Sequence, residues 1–521
     1  MKRIIQITLL AVVLSGSLGC KKFLNLDPPS DLSGNNFWKT KADVENFTNG
    51  MYELMRKSVS RLNMRIAAGS TGNEFAFIPF AGECRGAPVF ENKVGFDRYY
   101  IADLAGNNIR HFLTEVPTGN NWYRLFNFIR FTQWEQYYKV IAAANIAVDR
   151  IGGVPDATLT EADKKAYKGE AVFIRCMTYF FMLRQFGDVP YYTNPYNSSP
   201  LKRMPMVDVL KNCVADLEAV KADLPWTYKD PVFVSVRAMR GSAIALLMHM
   251  NMWLASFDAG NNTDYYKKVD ALGDEIQNEN DGAYAMLPLE RSGEIFKGRS
   301  KEGLFEVPQN ANYGESFAWS TFYDLVAYNL PGTGTRVSQL FYDYTYMQFL
   351  YPAGQPDKRA NIWFDPTTFR TYNNNTQTFR MRKFLVNTDP TALDGFGFDA
   401  SMIIFRYPDA LLLQAEALAE IGNETKAKQM LNKVRDRAEA PQITSNGDEL
   451  RNDIFFERCR ELQGEGHYWY DVVRTRRIID PGYKYGYHCT VDQYKSGCWT
   501  WPINASALVN NPQMTLNTYW Q

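Results

Sequence analysis

Apolar residues recur at spacings of three and four along much of the chain, which is the periodicity of a helix with one buried face. The first such set is Val44, Phe47, Met51 and Leu54. Thr40 stands ahead of this set as a helix cap. The pattern predicts helices at about 40–59, 122–151, 160–186, 206–223, 234–258, 264–279, 407–421, 424–438 and 449–476. The chain is therefore predicted to be mainly α-helical, and the aromatic stretch 122–138 is predicted to lie mostly in the core.

Several predicted helices form pairs joined by short polar turns. The pairs are 132–151 with 160–186, 234–258 with 264–279, and 407–421 with 424–438. In the last pair, the facing apolar stripes are Leu411, Ala415 and Leu418 on one helix, and Ala427, Met430, Leu431 and Val434 on the other. Gly422 and Asn423 supply the turn between these two helices. Helix hairpins of this kind are typical of tetratricopeptide-like folds, although the period here is not strict.

Two long regions, 60–121 and 281–400, lack periodicity and are predicted to be loop-rich, with a short strand at 304–308. Both are rich in aromatic residues interleaved with Asn and Glu. Aromatic planes pack on the C–H faces of sugar rings, and amides and carboxylates bind sugar hydroxyls, so the loops are predicted to form a ligand face. The candidate ligand residues are Trp319, Tyr313, Phe317, Asn312, Glu315, Asn73, Glu74 and Tyr99, and Phe75, Phe77, Phe80, Phe96 and Tyr100 lie in the same first region. The alternative is that these rings pin the loops to the helices.

Composition narrows the classes of function. The chain has 57 Lys+Arg and 57 Asp+Glu, so its formal net charge is zero. This balance argues against a protein built mainly to bind nucleic acid, which needs an excess of positive charge. Only 4 histidines are present, and no two of them have the spacing of a helical metal pair. The usual zinc hydrolase patterns are therefore absent, and we assign no metal ligand, cofactor or catalytic residue from the sequence, which leaves open whether a structural metal ion is bound.

The N-terminus predicts export and lipidation. Lys2 and Arg3 precede an apolar run from Ile4 to Leu14, and small residues then lead to Cys20. This run is far shorter than the roughly 20 residues that span a bilayer, so it predicts a cleaved signal rather than a membrane helix. We predict a signal peptide at 1–19, an acylated Cys20, and a tether at 20–40. The remainder, 41–230 and 231–521, is predicted to form one integrated globular unit.

Two other cysteine pairs have different predicted states. Cys176 and Cys213 lie in helical patterns and are predicted to be buried thiols. Cys489 and Cys498 bracket a polar, Gly-containing stretch. In an exported protein they either close a disulfide or remain free thiols, and the sequence leaves both alternatives open.

Two further sequence patterns indicate a structural role and not a binding or catalytic one. The stretch GEIFKGRS at 293–300 has the glycine spacing of a phosphate-binding loop, but Arg299 stands where the lysine belongs and no apolar strand precedes it. The charged residues Glu457, Arg458, Glu461 and Glu465 have spacings of three and four that place the charges along one helix face. They predict a salt-bridged helix that fixes the packing of the late hairpin. A glycosidase pair elsewhere stays open, because two acids need only be close in space.

Five stretches, in order along the chain, resemble the SusD/RagB-like family of outer-membrane nutrient-uptake lipoproteins. They are KFLNLDPPSDLSGNNFWKTKADVENFTNGMYELM after the lipid cysteine, GEAVFIRCMTYFFMLRQFGDVPYYT at 169–193, FRYPDALLLQAEALAEIGNETKAKQMLNKVRDRA at 405–438, ERCRELQGEGHYWYDVVRT at 457–475, and the closing WPINASALVNNPQMTLNTYW. Each stretch alone is a weak signal, and their common order makes the resemblance specific.

The resemblance implies a fold and a function. Family members have four tetratricopeptide-like hairpins that support a variable, loop-built face. They are anchored by the N-terminal lipid on the outer membrane, face the cell exterior, and cap a SusC-type TonB-dependent transporter. They capture oligosaccharides, or peptides in some members, and are generally not enzymes. A surface glycosidase and a purely structural helical-repeat adaptor are the competing hypotheses.

The N-terminal pattern gives a testable prediction. Cys20→Ala should abolish acylation, and the chain should then be released from membranes or stay unprocessed, because two or three acyl chains are the predicted anchor. Membrane fractionation and labelling with a radioactive fatty acid measure this. Cys489→Ala, which removes a distant cysteine, should leave the label in place. A processed Cys20→Ala chain that still sediments with the outer membrane would contradict the lipid anchor.

Overall fold

The computed structural model describes residues 37–60, 77–91, 99–114, 128–308, 340–373, 379, 381–386 and 400–521. The α-helices are α1 (Lys41–Ser60), α2 (Phe77–Cys84), α3 (Tyr99–Ala105), α4 (Ile109–Thr114), α5 (Glu135–Arg150), α6 (Glu161–Phe186), α7 (Met206–Val220), α8 (Arg240–Phe257), α9 (Asn262–Asn278), α10 (Ser292–Lys297), α11 (Tyr344–Leu350), α12 (Arg359–Ile362), α13 (Pro366–Phe369), α14 (Tyr407–Glu420), α15 (Glu424–Arg437), α16 (Gly447–Glu461), α17 (Tyr468–Arg474) and α18 (Val491–Ser496). The strands are β1 (Val89–Glu91), β2 (Gly303–Val307), β3 (Leu340–Tyr342) and β4 (Met402–Arg406). The mainly helical prediction is confirmed.

Side chains at the helix starts explain where two long helices begin. Ahead of α1, the Asp43 N–H donates to Thr40 Oγ1 at 3.2 Å, and the Thr40 N–H donates to the Asp43 carboxylate at 2.8 Å. Ahead of α6, Thr160 and Asp163 make the same reciprocal pair at 3.1 and 3.0 Å. Such pairs satisfy N–H groups that have no partner inside the helix. The cap predicted at Thr40 is confirmed.

The three predicted helix pairs are confirmed, since α5 packs on α6, α8 on α9, and α14 on α15. Further contacts of α1 with α5, α7 with α6 and α8, and α9 with α14 join the pairs into a stack. The apolar stripes predicted to face each other in α14 and α15 are buried in one cluster that also contains Leu450 and Ile454 of α16. Gly422, with a φ of 80°, makes the turn between α14 and α15.

A larger apolar cluster forms the main core and contains residues from Val44 to Met514. Within the stretch 122–138, its members are Phe128, Phe131, Trp134 and Tyr137. The aromatic residues of the described part of this stretch are therefore mostly core, as predicted, whereas Ile129 is exposed. Cys176 and Cys213 are also buried free thiols, which confirms the prediction for that pair.

The prediction of one helix over 449–476 is wrong. α16 ends at Glu461 and α17 begins at Tyr468. Between them, Gly464 and Gly466 have φ values of 85° and 84°, a left-handed conformation that ends a helix. Gly466 also touches α2, because a Cβ on Gly82 would stand 2.0 Å from the Gly466 carbonyl oxygen. The close packing of Gly466 on α2 therefore requires a break in the helix. The helical spacing of the charged residues gives no sign of this break.

Other boundaries differ less. The described part of the predicted helix 122–151 starts as a 3₁₀ turn, Phe128–Thr132, before α5. The predicted helix 234–258 begins only at Arg240, because Ser235 adopts a φ of 61°. The predicted strand at 304–308 is confirmed as β2, which pairs antiparallel with β4. The two regions predicted to be loop-rich also contain the short elements α2–α4, β1, β3 and α10–α13.

The phosphate-loop-like stretch 293–300 has a structural role. Its glycine Gly298 follows α10 instead of preceding a helix, and has a φ of 96°. A Cβ on Gly298 would stand 2.1 Å from Glu306 Oε1, so the glycine lets this buried carboxyl approach the backbone. The Arg299 N–H donates to both Glu306 oxygens at 3.0 and 3.1 Å. The reading against nucleotide binding agrees with this arrangement.

Among the described residues, no helix is both long enough and apolar enough to span a membrane.

The buried Glu306 gives a pH-dependent prediction. Burial raises the pKa of Glu306 from its ordinary 4.5 to about 8. Between these pH values the folded chain holds a proton that the unfolded chain releases, so this group lowers the free energy of unfolding as pH rises, by up to about 1.4 kcal/mol per unit. Glu306→Gln keeps an acceptor for the Arg299 N–H and should flatten this slope.

Thermal midpoints at pH 5 and pH 9 measure this effect. The midpoint of Glu306→Gln should exceed that of the unchanged chain at pH 9 and approach it at pH 5. Glu294→Gln, an exposed change in the same segment, should follow the unchanged chain at both values. An equal loss of stability in Glu306→Gln and the unchanged chain between pH 5 and pH 9 would contradict the prediction.

Candidate functional site

The residues predicted to bind ligand are not among those whose side chains the structure describes. Trp319, Tyr313, Phe317, Asn312 and Glu315 fall in 309–339, and Asn73 and Glu74 fall in 61–76, all outside the described residues. Tyr99 is the first residue of α3, and its side chain is also outside them, as is Cys20. These site assignments stay predictions. Of the wider aromatic set, Tyr100 is buried in the core, as the scaffold-pinning alternative expects.

The described residues that flank the candidate segments meet in one short ladder. β1 pairs antiparallel with β3, with Val89 opposite Tyr342 and Glu91 opposite Leu340. Residues 92–98 follow β1 directly, and residues 309–339 end where β3 begins. The sheet therefore joins the first aromatic region to the second, although the two are far apart in sequence.

A second contact lies where the segment 309–339 starts. Arg56, near the end of α1, donates through its guanidinium to the carbonyl oxygen of Pro308. Residues 61–76 follow α1, and residues 309–339 follow Pro308. Described residues that adjoin the first aromatic region therefore contact the chain at both ends of the segment 309–339. Arg56 contacts its start, and β1 pairs with β3 at its end.

Buried hydrogen bonds attach the β1–β3 ladder to the helical scaffold. The Tyr342 hydroxyl donates to Glu83 Oε1 at 2.5 Å, and the Gly466 N–H donates to Glu83 Oε2 at 3.3 Å. Burial raises the pKa of the Glu83 carboxyl to about 7, against the lowering effect of these donors. Glu83 on α2 therefore links the ladder to the glycine turn that precedes α17.

Phe90, on the β1–β3 ladder, is an exposed aromatic residue that the sequence reasoning missed. It is 48% exposed on β1, and its ring lies 5.5 Å from that of the buried Phe341 on β3. An exposed ring at the base of both candidate segments is available to a ligand. A strand of three residues has too little periodicity to reveal which side chain faces outward.

The charged residues of the late motif are structural, as predicted, but they lie in the core. Glu457 pairs with Arg359 at 2.7 Å and with Arg435 at 2.5 Å. Glu461 pairs with Arg359 at 3.1 Å and Arg406 at 2.5 Å. The guanidinium groups hold the pKa of Glu457 at about 2, overcoming the effect of burial. Fully ion-paired carboxylates of this kind are poor general acids.

Arg458 departs from the one-face prediction. It points to a different set of partners from Glu457 and Glu461, and pairs with Asp409 at 2.8 Å and Asp471 at 2.9 Å. Glu465 lies beyond the end of α16, where it pairs with Arg406 at 2.7 Å. The charges therefore surround the helix end instead of lining one face.

Within the described part of the chain, His249, Asp409 and His467 form a set of metal-ligand types whose atoms lie within 4.8 Å of one another. The fold thus unites histidines that are remote in sequence. His249 Nε2 is 2.7 Å from Asp409 Oδ2, and Arg458 pairs with Oδ1. Burial lowers the pKa of His467 to about 4. A divalent cation would stand beside the buried Arg458, so the existing ion pair is the favoured arrangement.

Cys489 and Cys498 are free thiols in the structure, and they are close enough that the Cys498 side chain lowers the pKa of Cys489. Cys489 is half-buried and Cys498 is buried. This proximity is compatible with both alternatives that the sequence leaves open.

The comparisons with known proteins agree with this helical scaffold. The family described as "SusD family" matches residues 335–520, and the family described as "Starch-binding associating with outer membrane" matches residues 89–251. The solved structure of a SusD homolog from Bacteroides thetaiotaomicron is 38% identical, covers 93% of this chain and 100% of its own, and has a TM-score of 0.80. The chain belongs to the SusD family.

More distant relatives extend the same picture. SusD-like protein P38 of Formosa agariphila is 25% identical over 98% of both chains. A solved structure described as a laminarin-binding SusD-like protein is 19% identical, covers 92% of this chain and 99% of its own, and has a TM-score of 0.68. At that identity the likeness establishes the shared fold alone. Association with the outer membrane and glycan binding are properties that the family descriptions carry.

Proposed function

We propose that this chain is a surface lipoprotein that captures oligosaccharides and delivers them to a SusC-type TonB-dependent transporter, without cleaving them. Membership of a family described as starch-binding and outer-membrane-associated supports this proposal. The laminarin-binding relative with the same fold points to the same class of ligand. The lipid on Cys20 would hold the protein at the membrane, facing the cell exterior.

The observation that carries the ligand face is the β1–β3 ladder. Because its strands flank both aromatic regions, side chains from 92–98 and 309–339 start from one place on the scaffold. The contact of Arg56 with Pro308 holds the last turn of α1, which precedes 61–76 in sequence, beside the start of the second segment. We infer that aromatic and polar residues of both regions form one oligosaccharide site, with Trp319 as its main stacking platform.

The scaffold beneath the proposed site is rigid in a way that suits capture. The Tyr342–Glu83 hydrogen bond and the neighbouring core leave the ladder little freedom. A fixed base lowers the conformational entropy lost when loops close on a ligand. Binding would therefore leave the helices in place.

The proposed platform gives a direct prediction. Trp319→Ala should weaken oligosaccharide binding by more than about tenfold, because a central aromatic contributes about 2 kcal/mol or more. The thermal midpoint should change little. Isothermal titration with soluble starch and laminarin oligosaccharides, combined with calorimetric melting, measures both quantities.

Trp363→Ala provides the contrast, since Trp363 is buried and its Nε1 donates to Ser292 at 2.8 Å. Truncation there should cost about 3–5 kcal/mol of stability. A loss of that size in Trp319→Ala would place Trp319 in the core. Unchanged affinity with unchanged stability would move the site to the first aromatic region. Release of shorter sugars from the titrated glycan would contradict a binding protein that does not cleave.

The proposed partner gives a second prediction. Affinity purification of the tagged, lipidated chain from its native membrane in mild detergent should recover a large β-barrel protein in stoichiometric amount. Stable complexes of this kind bury roughly 2,000 Å² or more. A neutral chain makes this association weakly salt-dependent, so the complex should survive about 0.5 M salt, where surface charges are screened. Recovery of the tagged chain alone would count against delivery to a transporter.

A further inference from the structure

A cavity of about 370 Å³ lies between the C-terminal ends of α8, α14 and α17 and the first turns of α9 and α16. Its lining includes no residue of either candidate loop region. Its volume is within the roughly 300–1,000 Å³ typical of small-molecule sites. The charged residues of its lining are Arg451, Arg474, Arg476, Arg477, Glu416 and Glu420. Guanidinium groups therefore outnumber carboxylates around the cavity.

Both carboxylates of the cavity are paired with an arginine. Arg474 donates to the two Glu416 oxygens at 2.5 and 2.8 Å. Arg451 pairs with Glu420 Oε1 at 3.2 Å. The Glu416 pair is buried, whereas Glu420 is exposed at the end of α14 and can also accept a hydrogen bond from a ligand. These pairs account for two of the arginines and leave Arg476 and Arg477.

Arg476 and Arg477 have no acidic partner in the ranges that the structure describes. Arg476 donates to the carbonyl oxygen of Ser256 at 2.7 Å. Arg477 donates to Asn452 Oδ1 at 2.6 Å, and its guanidinium lies 4.1 Å from the centre of the Phe455 ring. Each hydrogen bond uses a single N–H of a group that has several. The two positive charges are thus held in place while most of their donors stay free for a ligand.

The Tyr266 hydroxyl is a further donor that the fold does not use. Tyr266 is half-buried at the start of α9 and lines the cavity, and within the described residues its side chain makes no hydrogen bond. Burial raises the pKa of this hydroxyl, and the charges of Glu416 and Glu420 raise it further, so it stays protonated. Tyrosine hydroxyls that leave the surface ordinarily find a partner. An oxygen atom of a ligand would supply one.

A turn of the backbone after α17 brings the arginines together. Residues 474–477 all line the cavity, although they follow one another in sequence. In a continuous helix, successive side chains point about 100° apart and cannot all line one cavity. Arg476 has a φ of 59°, in the left-handed region, so the helix does not continue through it. Arg476 and Arg477 therefore reach the same cavity as Arg474.

We propose that this cavity binds a sugar acid, a monosaccharide unit that carries a carboxylate. The carboxylate would lie between Arg476 and Arg477, whose planar N–H donors match carboxylate oxygens. Sugar hydroxyls would accept from Tyr266 and donate to Glu420. The unpaired guanidinium groups favour an anion, and the accessible Glu420 disfavours an anion such as sulfate, which has no proton to donate to it. The class of ligand rests on the proposed function, and the cavity adds a place on the helical scaffold for charged sugar units.

Saturation-transfer NMR on the full mature chain tests this proposal. D-Glucuronate is the probe, D-glucose is its neutral counterpart, and sodium sulfate is the competing inorganic anion. Glucuronate should bind in a saturable manner, and glucose should bind at least about tenfold more weakly, because it lacks the charge-assisted hydrogen bonds. Sulfate at the concentration of the probe should displace only a minor part of the bound glucuronate.

Two arginines with the same backbone conformation provide matched variants. Arg299 has a φ of 58° and donates to one carbonyl oxygen, that of Val232, at 3.0 Å, but it does not line the cavity. Arg476→Gln should weaken glucuronate binding by at least about tenfold. Arg299→Gln should change it by less than about twofold. Equal thermal midpoints of these two variants would show that unfolding is not the cause.

Tyr266→Phe removes one hydroxyl and no packing. It should weaken glucuronate binding by about fivefold, the effect of one lost hydrogen bond, and leave the thermal midpoint unchanged. If glucuronate binding survives both Arg476→Gln and Tyr266→Phe, the probe lies elsewhere, and the assignment of the cavity is overturned. If sulfate displaces glucuronate completely, the cavity holds an inorganic anion, and the sugar-acid assignment is overturned.

The outcomes also separate this proposal from the proposed function, because maltohexaose and laminarihexaose are titrated on the same chain. If one of these neutral glycans binds and glucuronate does not, the cavity proposal fails and the proposed function stands. If glucuronate binds and depends on Arg476 while neither neutral glycan binds, the cavity proposal stands and the loop-built face fails for these glycans. If nothing binds, both proposals fail for these ligands.

Discussion

The packing of the C-terminal half depends on the ion pairs that the buried guanidinium of Arg406 makes. Arg406 is the last residue of β4 and pairs with Glu302, Glu461 and Glu465. One side chain therefore joins the β2–β4 sheet to the end of α16. Arg437 of α15 completes the network through Glu302 and Glu461. Removing one partner of such a buried pair typically costs about 3–5 kcal/mol, because a charge is left uncompensated. Since β2 leads to the second candidate ligand segment, the same network fixes the base of that segment.

Local signals in the sequence predicted most of the scaffold. The helices and their pairing follow from apolar spacing, and the cap at Thr40 follows from the residue type, because both features depend on neighbours in the chain. The Arg406 network could not be predicted in this way. Glu302 and Arg406 are 104 positions apart, and no spacing rule relates them. The break at Gly464 and Gly466 was missed for the same reason, since it serves packing against α2.

The candidate site was predictable in composition and not in geometry. Interleaved aromatic and amide residues identify the regions around Asn73 and Trp319 as ligand-binding candidates. That these regions meet is visible only in the pairing of β1 with β3, two strands of three residues each. The exposure of Phe90 likewise depends on long-range contacts. The residue types therefore predicted which kind of ligand the regions bind, whereas the positions of these residues in space follow only from the fold.

The short β1–β3 ladder has a consequence for how such a protein diversifies. Because the chain leaves and re-enters the scaffold at fixed points, residues can be inserted between Pro308 and β3 without moving a helix. The closure entropy of a flexible segment grows slowly, by about 0.6 kcal/mol for each doubling of its length. A longer or shorter segment between Pro308 and β3 would therefore change the free energy of folding little. One helical framework would then be compatible with segments of many lengths and sequences between the same two points of the scaffold.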